Sequence, residues 1–189
     1  MARTVGPATG GMIVAYQGAP GAFGHQAAGS VANFASLKAF PSFADVLAAV
    51  KRGEAQAGVL PVVNSRAGPV DGVGELIDDS GLLVRQTIDL PIRLHLLARP
   101  GARLDEVDTV VSHPMALRQC ARRLGELGVA QREASNTAVA AQTLADERTA
   151  VLASSLAAEL YGLAILEADV QDDPDNMTRF AVMVAPTLD

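Results

Sequence analysis

Five places along this chain put small hydroxyl or amide residues where a polar ligand could be held: Gly21 to Gly24, Asn64 with Ser65, Ser112 with His113, Asn136 with Thr137, and Ser154 with Ser155. Each lies between an apolar run and a helical stretch, so its side chains and the unpaired N–H groups of the helix start that follows are donors in one place. Such donors suit an anion, a carboxylate for example. Helix capping explains any one of these sites better; only the five together favour an anion cradle.

Two segments carry more. In Ser112-His113-Pro114-Met115-Ala116-Leu117-Arg118-Gln119-Cys120, a helical advance of about 100° per residue sets Ser112 and Gln119 two turns apart on one side. That side lies off the apolar stripe of Leu117, Cys120, Ala121 and Leu124. A hydroxyl and an amide on one stripe can hold a polar ligand, and a solvated glutamine fits the position equally well. Cys120 points with the apolar stripe and reads as core, not as a nucleophile. In Asn176-Met177-Thr178-Arg179-Phe180, strand alternation puts Thr178 and Phe180 on one face and Arg179 on the other. Alone, that is an ordinary strand entry with an exposed arginine.

Other chemistries find no footing. His25, His95 and His113 have neither metal-ligand spacing nor a Ser or Cys partner and read as structural or solvated. The run Gly18-x-x-Gly21-x-x-Gly24 has the wrong spacing for a dinucleotide fingerprint and reads as a turn. Cys120, the single cysteine, rules out an internal disulfide and lacks companions for zinc. The expectation is an enzyme or binding protein with no metal and no cofactor, in a reducing, cytoplasmic compartment. A formal charge of -6 and a pI near 5.0 exclude a blanket of positive potential, so neither nucleic acid nor an anionic membrane is an expected partner.

The elements that must position these groups follow from periodicity. Of the 189 residues, 49% are hydrophobic, but 4% are aromatic and none is Trp, a balance suited to helices packed on sheets. Residues 1–11 contain one Arg and no continuous apolar run and read as a loose polar tail, neither export signal nor anchor. From Ile13 short apolar runs alternate with helical stretches. Strands are expected at Ile13–Tyr16, Leu37–Phe40 and Ala57–Leu60, the last ended by Pro61. Ser42 with Asp45 forms a capping box ahead of Val46, Leu47 and Val50, with Gly53 as the stop. A short helix is expected before Ile77, and Leu82 to Ala98 holds two strand-like pieces around Pro91. A second set follows: strands at Thr109–Ser112, Ala130–Glu133, Ala150–Ala153 and Ile165–Asp169, and helices at Met115–Leu127, Thr137–Asp146 and Ser155–Tyr161. The strand Thr178–Val184 has no helix after it and most economically returns to the first sheet. The expected architecture is α/β, two lobes joined by two crossover strands with a cleft between them. One lobe is 12–88 plus 177–189, the other 89–176.

The ordered set Ala15-Tyr16-Gln17-Gly18-Ala19-Pro20-Gly21-Ala22-Phe23, Leu60-Pro61-Val62-Val63-Asn64-Ser65, Ser112-His113-Pro114-Met115-Ala116-Leu117, Gln119-Cys120, Ala157-Ala158-Glu159-Leu160-Tyr161-Gly162-Leu163 and Thr178-Arg179-Phe180 resembles the prephenate dehydratase family, from about Ile13 to Val184. The resemblance implies a fold like a type II periplasmic binding protein, with the active site in the interlobe cleft. It implies Thr178 as hydroxyl donor and Arg179 as the grip on a substrate carboxylate. Asn64, Ser65, Ser112, Gln119 and Thr137 would line the pocket, with Ala22, His113, Phe23 and Phe180 beside the substrate, and a homodimer would accompany it. The chain departs from the family at Val63, usually Glu, at Gly24, often a hydroxyl residue, at Pro69, usually polar, and at Met115, usually Gln, which removes polarity from the pocket. The family's regulatory ACT domain is not seen before Asp189, so feedback by phenylalanine through it is expected to be absent.

Prephenate loses CO2 and hydroxide together, and formation of a benzene ring supplies the driving force. Such an enzyme needs a donor to the leaving hydroxyl and a dry place for the departing carboxylate. Thr178 and Gln119 suit the first task, and Phe23 and Phe180 the second. The leading expectation is therefore conversion of prephenate, with arogenate as a further substrate, to the aromatic product in phenylalanine biosynthesis. A non-aromatising prephenate decarboxylase is the alternative, favoured by Val63 and the missing regulatory domain. A ligand-binding module of periplasmic-receptor type is a third reading, opposed by the lack of an export signal.

Overall fold

The structure, a computed structural model, describes residues 11–31 and 36–186, so nearly all of the expected tail lies outside the described residues. The chain runs β1 (Ile13–Gln17), α1 (Phe23–Gly29), β2 (Ser36–Phe40), α2 (Phe43–Lys51), β3 (Ala57–Asn64), the two-residue β4 (Gly68–Pro69), α3 (Val73–Ser80) and β5 (Leu83–Pro91). It continues with β6 (His95–Ala98), β7 (Thr109–Ser112), α4 (Pro114–Gln119), α5 (Ala121–Leu127), β8 (Ala130–Glu133), α6 (Thr137–Gln142), β9 (Thr149–Ala153), α7 (Ser155–Tyr161), β10 (Ala164–Glu167) and β11 (Met177–Val184).

The strands form two sheets. One is ordered β2-β1-β3-β11-β5, with β4 paired to the end of β3; the other is β10-β6-β9-β7-β8. β1, β2 and β3 are parallel, as βα units require, whereas β11 lies antiparallel to both β3 and β5. The last strand thus does return to the first sheet, inserted between β3 and β5. In β1 and β9 consecutive residues such as Val14, Ala15 and Tyr16, or Val151, Leu152 and Ala153, are all buried, because helices cover both faces of each sheet. Separate apolar clusters fill those faces. The capping box forms as expected: the Asp45 N–H donates to Ser42 Oγ at 3.1 Å and the Ser42 hydroxyl donates to Asp45 Oδ2 at 2.6 Å.

Four local expectations are corrected. Pro61 does not end β3, which pairs with β11 through Asn64. The first sheet extends through Pro91, opposite Met177. The helix expected over Met115–Leu127 breaks at Cys120, because the Asp172 N–H takes the Gln119 carbonyl at 2.7 Å and the Asp172 carboxylate accepts from Arg122 N, capping α5. α6 stops at Gln142, well short of Asp146.

The lobes are stitched in two places. The connecting segments lie side by side: the Ile92 N–H donates to the Asn176 carbonyl, the Val170 N–H to the Leu94 carbonyl, and the Leu94 N–H to Gln171 Oε1. Across the cleft, the β1–α1 loop docks on α7. The Ser154 hydroxyl donates to the Gly21 carbonyl and the Tyr161 hydroxyl to the Pro20 carbonyl, each at 2.6 Å. Gly21 has φ +88, and a Cβ there would sit 3.0 Å from Ala157 Cα, so close approach and backbone conformation both call for glycine. His25 and His95 prove structural: each accepts a backbone N–H on Nδ1, from Gly21 and Asp169, and burial pushes both pKa values down.

Candidate active site

A cavity of about 540 Å³ opens between the lobes. Its first-lobe wall is built where β3 meets β11. Thr178 pairs with Asn64, Arg179 with Val63 and Phe180 with Pro61, so three residues on β11 span four on β3 and a bulge falls at Val62. The bulge reverses the alternation of β3. Without it Val63 would face the cavity; with it Asn64 does, beside Thr178.

Asn64 is held in one orientation. Its Oδ1 accepts the N–H groups of Arg66 and Ala67, both at 2.9 Å, so its Nδ2 must point the other way. That amide donates to Thr178 Oγ1 at 2.9 Å, to Asn176 Oδ1 at 2.9 Å and to the Met177 carbonyl at 3.0 Å. With its oxygen already an acceptor, the Thr178 hydroxyl has its proton left to donate. Thr178 is 8% exposed and opens onto Phe23, Val59, Pro61, Ile92, Leu94 and Phe180, a wall of apolar surface.

The second-lobe wall consists of helix ends. His113 caps α4, its Nδ1 accepting the Met115 N–H at 3.1 Å, which leaves Nε2–H as the ring's donor. Gln119 closes the same helix at the Cys120 break. Asn136 caps α6 through Oδ1, which accepts from Ala138 N at 2.7 Å, and Thr137 follows as the first helical residue. All four line the cavity, as do Ala22 and Gly24 from the β1–α1 loop.

Of the residues expected at the site, Thr178, Gln119, Asn64, Phe180, Thr137, Ala22, Phe23 and His113 therefore gather around one cavity. Three do not. Ser112 is 0% exposed and donates to the Leu152 carbonyl at 2.7 Å, tying β7 to β9. The proposed Ser112–Gln119 stripe fails because Ser112 ends a strand before the helix begins. Ser65 clamps the start of β11, its N–H donating to the Met177 carbonyl and its hydroxyl accepting the Met177 N–H. Arg179 lies on the opposite face of β11 in a two-pronged pair with Asp89 at 2.6 and 2.7 Å. That guanidinium holds the Asp89 carboxyl below its usual range. Val63 stands in register with Arg179, outside the cavity, so its departure from the family removes no pocket polarity; Gly24, Pro69 and Met115 do line it. Cys120 is buried and its thiol is pushed up to about 12, as core placement demands.

Two residues were missed. Asp71 lines the cavity just past β4, with no spacing signal to mark it. Asn176 is 2% exposed and receives the Asn64 amide, while its own Nδ2 has no partner among the described residues. Its position beside the Thr-Arg-Phe segment was the available signal.

Fold and cavity define a two-lobed α/β protein of periplasmic-binding-protein-like architecture with a small, largely apolar cleft bearing fixed neutral donors. The prephenate dehydratase profile matches residues 14–187, and the chain belongs to that family. It is 40% identical over 177 residues to arogenate dehydratase/prephenate dehydratase 6, chloroplastic, of Arabidopsis thaliana, covering 90% of this chain and 42% of that protein. It is 39% identical over 187 residues to arogenate dehydratase 1 of Petunia hybrida, covering 93% and 44%. The chain thus spans less than half the length of these curated relatives. Among solved structures, prephenate dehydratase of Arthrobacter aurescens in complex with L-Phe superposes with TM-score 0.83 at 28% identity, covering 94% of this chain and 61% of that one. GqqA, described as a novel type of quorum quenching acylase, superposes with TM-score 0.86 at 32% identity, covering 94% and 65%. Among the described residues no helix is long and apolar enough to cross a membrane.

Proposed function

We propose that this chain carries out the decarboxylative dehydration of prephenate to phenylpyruvate, or of arogenate to phenylalanine, as a lyase of aromatic amino acid biosynthesis. The observation that carries this reading is the Asn64 Nδ2 to Thr178 Oγ1 hydrogen bond, which occupies the hydroxyl oxygen as an acceptor and leaves its proton to donate beside an apolar cavity.

In the reaction the ring carbon–carboxylate bond breaks and its electron pair enters the ring, while the ring carbon–oxygen bond breaks on the far side. The oxygen leaves as hydroxide, takes up a proton and departs as water. Thr178 donates a hydrogen bond to that oxygen as negative charge develops on it. The ring carboxylate faces Phe23, Phe180, Ile92 and Leu94, which offer it no hydrogen bond and suit neutral CO2 better than the anion. Gln119, Thr137, Asn136 and the His113 Nε2–H supply neutral donors for the side-chain carboxylate, the part that sequence had given to Arg179.

The test is incubation of the purified protein with prephenate and arogenate and identification of products by mass and ultraviolet spectrum. Phenylpyruvate or phenylalanine is expected. A dihydro-hydroxyphenylpyruvate would replace this reading with a non-aromatising decarboxylase, and recovery of both compounds unchanged would leave a binding protein.

A further inference from the structure

We propose that Asp71 is the specificity-determining residue of this cavity and selects a substrate whose three-carbon side chain carries an ammonium, the arogenate form, over the keto form. This rests on the dehydratase reading above.

The first ground is the charge of the cavity. Among the described residues that line it, none is Lys or Arg, and the ionisable ones are Asp71 and His113. His113 spends its Nδ1 on accepting the Met115 N–H. Of the cations close by, Arg66 pairs with Asp173 and Arg179 with Asp89, while Arg118 touches the lining residue Met115 without itself lining the cavity. The one formal charge on this lining is therefore negative.

The second ground is the substrate. The keto form brings two carboxylates and no cation, and sinking a dianion into a largely apolar cleft with no counter-charge is costly. The amino form brings the same two carboxylates with its own ammonium, so one negative charge is already offset before binding. That ammonium needs acceptors; Asn136 Oδ1 is already taken by backbone N–H groups, and Gln119 and Thr137 can offer it only neutral oxygens. The Asp71 carboxylate matches it with a charge-assisted hydrogen bond.

The third ground is that Asp71 stands in a fixed place. The Val70 N–H donates to the Val62 carbonyl at 3.0 Å and the Val73 N–H to the Val70 carbonyl at 3.2 Å, while Gly72 turns the chain with φ +71. β4 itself pairs with Val63 and Asn64, the same stretch that orients Thr178. Pro69, Val70 and Asp71 thus line the cavity along one short arm whose backbone is pinned at Val70, and the exposed Asp71 carboxylate has no hydrogen bond or ion pair among the described residues.

The experiment measures kcat/KM for both substrates on the wild-type chain and on Asp71→Asn and Asp71→Glu. The wild type should favour arogenate by roughly tenfold or more. Asp71→Asn should shift the arogenate-to-prephenate ratio by roughly tenfold to a hundredfold toward prephenate, lowering arogenate and raising prephenate. Asp71→Glu should keep most of the preference. A wild type that prefers prephenate, or an Asp71→Asn variant in which both substrates fall equally, overturns the assignment of Asp71 and leaves the dehydratase reading standing. Turnover of neither substrate by the wild type overturns both.

Discussion

The two walls of the cleft are made differently. On the first-lobe side, Asn64 and Thr178 stand on paired strands of one sheet, and five hydrogen bonds from or to the Asn64 amide, with Arg66, Ala67, Asn176, Met177 and Thr178, leave it a single orientation. On the second-lobe side, His113, Gln119 and Thr137 sit at the ends of α4 and α6, each only six residues long. The rigid wall presents one donor at one point, as stabilising a leaving oxygen requires. The second-lobe wall presents several donors over an area, as holding a carboxylate requires. In the proposed reaction the first lobe would serve the leaving group and, through Asp71, the ammonium of the side chain, while the second lobe would hold the side-chain carboxylate.

The largest effect should come from removing the donor itself. Thr178→Ala is expected to lower kcat by about 10²- to 10⁴-fold with a much smaller change in KM, since the bond strengthens mainly in the transition state. Near-normal turnover in steady-state assays would detach Thr178 from the chemistry and make the strand wall a mere scaffold. Next comes its support. Asn64→Ala should lower kcat by roughly tenfold to a hundredfold and, in the double variant, add little to the Thr178→Ala loss, because both changes remove one unit. Fully additive losses would show that Asn64 acts separately.

Sequence made the elements legible because they rest on local rules. The Ser42–Asp45 cap, the α7 boundaries and the return of the last strand follow from capping, periodicity and economy of connection. The site was legible only where alternation held. Thr178 and Phe180 could be placed together, with Arg179 opposite, by counting along β11. β3 could not be read that way, because the bulge after Pro61 changes its phase by one residue and only pairing with β11 reveals it. Ser112 fails for a similar reason: helical phase does not extend back past Pro114, and Ser112, two residues earlier, belongs to a strand. Asp172, which breaks the helix at Cys120, sits some fifty positions downstream in sequence, beyond any local pattern.

The second-lobe wall should respond in the other kinetic constant. Gln119→Ala is expected to raise KM by about tenfold while kcat stays within a few-fold, the mark of an interaction made equally with substrate and transition state. A loss confined to kcat would mean that Gln119 takes part in proton donation and that the division between the walls is not clean.

The smallest effect should come from Arg179, and it separates position in a motif from position in space. The residue lies between Thr178 and Phe180 in sequence, both of which face the cavity, and yet its guanidinium is on the far face, about half exposed and paired with Asp89. An exposed pair of this kind adds little to stability, because solvent screens it and both side chains give up freedom to form it. Arg179→Gln should therefore leave KM for either substrate within about twofold, and the melting temperature nearly unchanged. Asp89→Asn should behave the same way. If Arg179→Gln instead raises KM strongly while Asp89→Asn does not, the guanidinium must leave Asp89 and reach the substrate in a closed state, and the strand wall would then supply charge as well as the hydroxyl.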